Sequence, residues 1–205
     1  MQNKTALFIL LFFAGITLLF FMLNRQMETE KNRQLREQLE MEKSFNGMNE
    51  ELNNQLAYTT VSDVIIVDTL LQEYSLSTLV SKKPVLVFRY SGLNCGTCYG
   101  AEIISLQNIF SPEDRQIAIL SSYNDKRHFI SDRKDARIEF PFYLIPQDAF
   151  DWILEEYGTP YYFVLHPDLT VSHIFIPDIV LKDLNKQYLE RIKCYLSDYS
   201  KNEKN

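Results

Sequence analysis

The first pattern along the chain is an unbroken apolar run. Residues 6–23, "ALFILLFFAGITLLFFML", carry no charge. As a helix they would extend about 27 Å, close to the ~30 Å hydrocarbon core of a bilayer. The run is apolar on every face, which does not suit a core helix at a terminus. No Ala-x-Ala and no cysteine follows it, so neither signal cleavage nor lipid attachment is marked. Residues 1–23 therefore read as a short N-tail and a transmembrane anchor.

The pattern then changes. Residues 24–56 lack proline, contain one glycine and are rich in helix formers. Apolar positions recur at Leu35, Leu39, Phe45, Met48, Leu52 and Leu56, and Gly47 interrupts the spacing. We expect a helical stalk about 50 Å long. A stalk-mediated coiled-coil dimer is an alternative, carried by fewer than three clean heptads.

From there to residue 199 short apolar runs alternate with amphipathic stretches. "DVIIVD" predicts a strand, "SLSTLVSKK" a helical turn or loop, and "PVLVFRY" a buried strand opened by Pro84. A helix is expected from Cys95 to Phe110. The strand "RQIAILSS", a polar helix or loop in "NDKRHFISDRKDARI" and the extended piece "FPFYLI" follow. "DAFDWILEEYG" reads as a helix stopped by Gly158. "PYYFVLHPDLTVSHIFI" reads as a hairpin turning at "HPDLT". A closing amphipathic helix places Val180, Leu184, Tyr188, Ile192 and Tyr195 on one face. Strands alternating with helices and ending in a hairpin predict an α/β sandwich with a mixed sheet. The expected domains are 1–23, 24–56, a globular domain at 57–199, and a tail at 200–205.

Composition changes this picture little. The chain has 205 residues, 46% hydrophobic and 23% charged, which suits a packed core. A net charge of −6 with interleaved signs argues against nucleic acid as a partner. Three cysteines are too few for a disulfide-stapled scaffold.

Two of those cysteines carry the candidate chemistry. In "RYSGLNCGTCYGAE" Cys95 and Cys98 sit where a buried strand leads into a helix. At a helix N-terminus, unpaired N–H groups and the dipole favour a thiolate. Cys95 would then be the exposed nucleophile, and Cys98, one turn on, the resolving thiol. Gly92 and Gly96 would let a substrate backbone approach closely. A zinc site would need two further ligands. Cys194, His128, His166 and His173 are scattered singly, so no metal is expected.

Together with "EEYGTPYYFVL", which puts Pro160 at the mouth of a strand, the order strand, CxxC helix, Gly-x-Pro and hairpin resembles the thioredoxin-like superfamily. The length between Cys98 and Pro160, with "SLSTLVSKKPVLVF" ahead of the motif, resembles its redoxin branch, the membrane-anchored thiol–disulfide oxidoreductases of bacterial envelopes. The resemblance covers residues 62–198. It implies a cis Thr159–Pro160 peptide packed on Cys95, with the Thr159 backbone offered to a bound peptide. It also implies a redox-active Cys95–Cys98 disulfide in place of any other cofactor.

There are departures from the pattern. Asn94 stands where the family has Trp. Arg89 stands where thioredoxin has a buried Asp, either turned inward as a cation that favours the thiolate or facing solvent at the strand end. Gly96 and Thr97 form the dipeptide that tunes the potential. Peroxiredoxins share the fold, but "SGLNC" lacks their Pro and Thr. Cys194 reads as a buried structural thiol, with mixed-disulfide chemistry the other reading, and His166 and His173 as surface or satisfied residues. Phe150, Trp152, Tyr157, Tyr161 and Tyr162 read as core, with a peptide groove the other reading.

The expected function is exchange of disulfides with protein thiols and disulfides, supplied by a membrane-bound electron donor. A catalytically weak peptide- or protein-binding module is the alternative, and a peroxiredoxin-like peroxidase a further one. Arg25, Lys31, Arg33 and Arg36 beyond the apolar run outnumber Lys4 before it, which by charge puts the body in the cytoplasm. The resemblance puts it on the periplasmic face of a bacterial inner membrane, and we follow the resemblance.

Overall fold

The computed structural model describes the backbone at residues 2–92, 96–113 and 116–202, and the side chains there except those of 2–14, 96–98, 157 and 200–202. Helix α1 (Gln2–Leu56) is continuous through Gly47. The chain nonetheless divides into two compact units, Met1–Gly47 and Met48–Asn205.

In the first unit Leu18, Leu19, Phe20, Phe21 and Met22 are all well exposed. Further along, polar side chains pair with each other, as in Arg33 with Glu30 at 2.7 Å. Among the described residues no helix is long and apolar enough to cross a membrane. The span expected at residues 6–23 lies partly outside them, because the side chains of 2–14 are not described.

The second unit holds β1 (Ile65–Val67), β2 (Glu73–Ser75), a 3-10 turn (Leu76–Val80) and β3 (Val85–Ser91). Then follow α2 (Gly96–Ile109), β4 (Ile117–Ser122), α3 (Lys126–Asp135), β5 (Phe142–Leu144) and α4 (Ile153–Tyr157). The hairpin β6 (Tyr161–Leu165) and β7 (Val171–Phe175) leads to α5 (Lys182–Asn202). The strands form one seven-stranded sheet in the order β2-β1-β5-β4-β3-β6-β7. β4 runs parallel to β3 and β5, and the remaining pairs are antiparallel.

β3 and β4 are apolar on alternate residues of both faces because both faces are covered. Val85, Val87, Leu120 and Phe163 pack on one side with Leu52, Phe150, Trp152 and Leu154. On the other, Phe88 stacks on Tyr162, and Phe142 on Phe129 of α3.

The last turns of α1 belong to this unit and seal its edge. Asn53 Oδ1 accepts from the Ile174 amide at 2.7 Å, and Asn49 Oδ1 from the Ile176 amide at 2.7 Å. The Asn53 amide donates back to the Ile174 carbonyl. Side-chain amides one helical turn apart thus take the place of a neighbouring strand along β7, and an edge left open would be a template for pairing. The second unit begins at Met48, so these turns of α1 are part of it.

Three expectations change in detail. β2 was not foreseen, since three polar or half-exposed residues give no apolar run. α4 is only five residues long because Trp152 is extended and Gly158 closes it at φ 58°. Val180 is 69% exposed and precedes α5, whose buried face is Asn185, Tyr188, Leu189, Ile192 and Leu196. The Asp178 carboxylate accepts from the Val180 amide at 2.6 Å and holds that turn outside the helix.

Candidate active site

β3 is the strand from which the site is built. It ends at Ser91, and the Gly92 amide donates to the Ser122 carbonyl at 2.7 Å. A Cβ at Gly92 would overlap the Tyr123 ring, so this position needs glycine for space rather than for φ. Asn94 and Cys95 lie outside the described residues. Gly96 opens α2, with Thr97 and Cys98 in its first turn, but the side chains of these three lie outside the description too.

Arg89, two residues before the end of the strand, is 1% exposed. It does not face solvent, because alternation along β3 sends it to the same covered face as Val85 and Val87. Its Nε and Nη2 donate to the Glu155 carboxylate of α4 at 2.9 and 2.7 Å. Both Nη atoms reach Ser122 Oγ at 3.2 Å, and Nη1 also donates to the Tyr90 carbonyl. The Tyr161 hydroxyl completes the group, donating to Glu155 at 2.6 Å. The inward reading of Arg89 is the observed one, but its charge is matched by Glu155 and is not free to act on a thiol.

Tyr90, next along the strand, points to the opposite face. Its hydroxyl donates to Asp132 of α3 at 2.7 Å, and Tyr99, the residue after Cys98, donates to the same carboxylate at 2.9 Å. Tyr123 donates to it as well, and the Tyr90 and Tyr99 rings stack at 4.4 Å. Burial, helped by the neighbouring tyrosine and carboxylate, pushes the Tyr90 phenol far above its ordinary value. Burial and the bond to Asp132 do the same to Tyr123. These hydroxyls stay neutral donors, so the cluster braces the end of β3, the start of α2 and α3 against one another.

On α2, one turn beyond Cys98, Glu102 is buried and accepts from Tyr162 at 2.9 Å and from Asn185 of α5 at 2.9 Å. Burial raises its carboxyl above the usual range, against these two hydrogen bonds.

Thr159 is exposed and Pro160 half-buried at the entrance to β6. The Thr159–Pro160 peptide is trans, correcting the cis geometry the resemblance implied. The reversal of the chain after α4 is made at Gly158 in the left-handed region, which leaves the proline in its ordinary isomer. Thr159, Gln147, Glu155, Glu156 and Ser91 border a cavity of about 250 Å³ floored by Arg89 and Tyr161.

Other candidates fall outside this site. Cys194 is exposed, not buried, because it lies two residues past buried Ile192 and so on the far side of α5. Phe150, Trp152 and Tyr162 are core residues, and the side chain of Tyr157 lies outside the description. His166 and His173 are both satisfied, sharing the Ser172 hydroxyl at 2.7 Å each. Among the described residues no cluster of His, Cys, Asp or Glu is placed to hold a metal ion.

Sequence reading missed Glu155 and Asp132 as site residues, and named Tyr161 only as core or a groove aromatic. The available signal was Arg89 itself, since an arginine inside an apolar strand must find a carboxylate.

The fold is shared with solved structures. The thioredoxin domain of a thiol-disulfide oxidoreductase from Bacteroides vulgatus superposes with a TM-score of 0.53 at 14% identity, covering 68% of this chain and 97% of that one. A thiol:disulfide interchange protein from Bacteroides sp. gives 0.53 at 17% identity, covering 69% and 91%. A putative protein disulfide isomerase from Bacteroides thetaiotaomicron gives 0.50 at 16%, covering 67% and 90%. No protein-family model matches the sequence, and no curated protein matches it either. The chain has the thioredoxin-like fold.

Proposed function

We propose that the protein is a membrane-anchored thiol–disulfide oxidoreductase working through Cys95 and Cys98. The observation that carries the reading is the position of the CxxC pair. Within a thioredoxin-like fold, the sequence puts the pair between the end of the interior strand β3 at Ser91 and the first turn of α2. Unpaired amides at that helix start favour a thiolate on Cys95. The thiolate attacks one sulfur of a substrate disulfide and forms a mixed disulfide, and the other substrate sulfur leaves as a thiol. The Cys98 thiolate then attacks Cys95, closing the Cys95–Cys98 disulfide and releasing the second substrate thiol. Two electrons pass to the substrate, and a membrane-bound dithiol donor restores the pair. Thr159 offers its backbone to the substrate peptide beside Pro160, while Asn94, Gly96 and Thr97 set the potential.

The uncharged run at residues 6–23 supports the anchor. The globular unit lies outside the cytoplasm, at the periplasmic face of a bacterial inner membrane, and the stalk is the surface through which two copies would pair.

A second reading, a peptide-binding module with little redox activity, is favoured by Arg89. Where thioredoxin keeps a proton-carrying acid, this chain has a guanidinium locked to Glu155.

Equilibration of the full chain in detergent with glutathione separates the two, with Cys98→Ala as the trapping control. We expect a reversible two-electron couple between about −120 and −280 mV. A pair that never forms a disulfide would leave the binding module.

A further inference from the structure

The cavity beside Thr159 has hydroxyl and amide side chains on its border, at Ser91, Gln147 and Thr159, but a one-sided charge. Arginine carries five N–H donors, and those of Arg89 are spent on Glu155, Ser122 and the Tyr90 carbonyl. The Tyr161 hydroxyl is spent on Glu155 Oε1. The floor of the cavity therefore has no side-chain donor to offer an incoming group. Acceptors remain. Glu155 Oε2 takes a single bond, from Arg89 Nη2, and a carboxylate oxygen accepts more than one. Glu156 is exposed on the cavity rim, and no described residue forms an ion pair with it. Because Arg89 and Glu155 cancel, the charge at the rim is the one negative charge of Glu156. At about 250 Å³ the space suits one long side chain. Its walls include Ser91, at the end of the strand that leads to the CxxC loop, and Thr159.

From these observations we infer that this cavity is a specificity subsite for a cationic side chain, Arg or Lys, next to the reacting cysteine of the substrate peptide. The inference rests on the oxidoreductase reading and narrows its substrate class. The alkyl stem would lie over the cavity floor at Tyr161, and the charged head would reach Glu155 Oε2 and Glu156. An anionic side chain would meet the charge of Glu156, and the one cation of the lining, Arg89, is already matched by Glu155.

The test uses the full-length reduced protein in detergent and disulfide-cyclised peptides that differ only in the residues flanking each cysteine: Arg, Ala or Glu. Single-turnover reduction, in which the protein dithiol supplies both electrons, gives a second-order rate for each. Anisotropy of labelled peptides with serine in place of cysteine gives affinity without chemistry. We expect the Arg peptide to exceed the Glu peptide about tenfold in both readouts at low salt, with the gap narrowing as ionic strength rises. Glu156→Gln, an exposed change that leaves the fold intact, should cut the ratio to about threefold or less. Glu113→Gln, at a surface site outside this cavity, should leave it unchanged. Equal binding and equal rates for all three peptides would overturn the subsite. Reduction of none of them, with the affinity order preserved, would overturn the oxidoreductase reading and keep the subsite.

Discussion

Successive tyrosines on β6 point to opposite faces of the sheet, and each gives its hydroxyl to a glutamate, half-buried Glu155 or buried Glu102. Tyr161 donates to Glu155 and Tyr162 to Glu102. The two carboxylates are otherwise treated differently. Glu155 is clamped at two points by the buried Arg89 guanidinium. Glu102 receives only the neutral Asn185 amide besides its tyrosine, and its carboxyl is held above the ordinary range by burial. One face of the sheet contains a charge that must stay matched. The other contains a group that can take up a proton without leaving a partner charge behind.

The sharpest way to break this comparison is to remove one member of the charged pair. Glu155→Ala leaves a guanidinium 1% exposed with no counter-charge, and such an orphan typically costs about 3–5 kcal/mol. Replacing both partners, Arg89→Met with Glu155→Leu, removes the orphan and should recover most of that loss. Urea unfolding of the three chains measures it. If the single and double replacements are equally unstable, the pair is not the source of the effect.

Neutral satisfaction also operates at the β7 edge, where Asn49 and Asn53 cap the strand and Leu52 enters the core. A chain beginning at residue 57 should therefore be less stable than one beginning at residue 48 by about 2–3 kcal/mol, the burial of one leucine, with the edge groups of β7 returned to water. Equal unfolding midpoints would show that the amides of α1 merely rest on the sheet.

At Glu102 itself the cost should be smaller. Glu102→Ala leaves the Asn185 amide and the Tyr162 hydroxyl without an acceptor, at about 1–3 kcal/mol. Glu102→Gln keeps one acceptor oxygen and should cost about 1 kcal/mol or less. A Gln variant as unstable as the Ala variant would mean that the ionised carboxylate is needed, and the contrast with Glu155 would disappear.

The sequence makes one half of this comparison visible and hides the other. Apolar runs at 85–91 and 117–122, the Gly158 stop and the hairpin before α5 are local signals, and each forms the expected element. The three-residue strand β2 and the boundary at Met48 depend on distant partners, β1 and the β7 edge, and leave no local pattern. For the site, the sequence carries the CxxC spacing, and α2 begins at Gly96 within it. Glu155 lies 66 residues from Arg89, and in "ILEEY" nothing separates the inward glutamate from the exposed Glu156. The trans Thr159–Pro160 bond went against expectation because the turn is made one residue earlier, by a glycine that sequence reading had used only as a helix stop.

The smallest effects lie in the pH dependence, where the groups carry opposite signs. Glu102 has a raised native carboxyl. Between the ordinary glutamate range and its native value the folded chain binds the extra proton, so its contribution falls as pH rises through that window. His166 and His173 are both lowered, chiefly by burial. For His166 the lowering is opposed by Asp168, and for His173 it is reinforced by His166 and Arg191. Below the ordinary histidine value of about 6.5 the unfolded chain binds more protons, so their contribution is present above that value and falls as pH drops. The Ser172 hydroxyl that bridges them has one proton to give, so at least one imidazole must donate to it. Protonating both rings leaves two like charges on one oxygen. Glu102→Gln should therefore flatten the alkaline-going fall in stability and leave the acid-going fall intact, and His166→Gln should do the reverse. Thermal unfolding from pH 4 to 8 distinguishes them. If both variants alter the same limb, Glu102 and the histidine pair, both under α5, do not titrate independently, and Glu102 is not the proton-accepting counterpart of the locked Glu155.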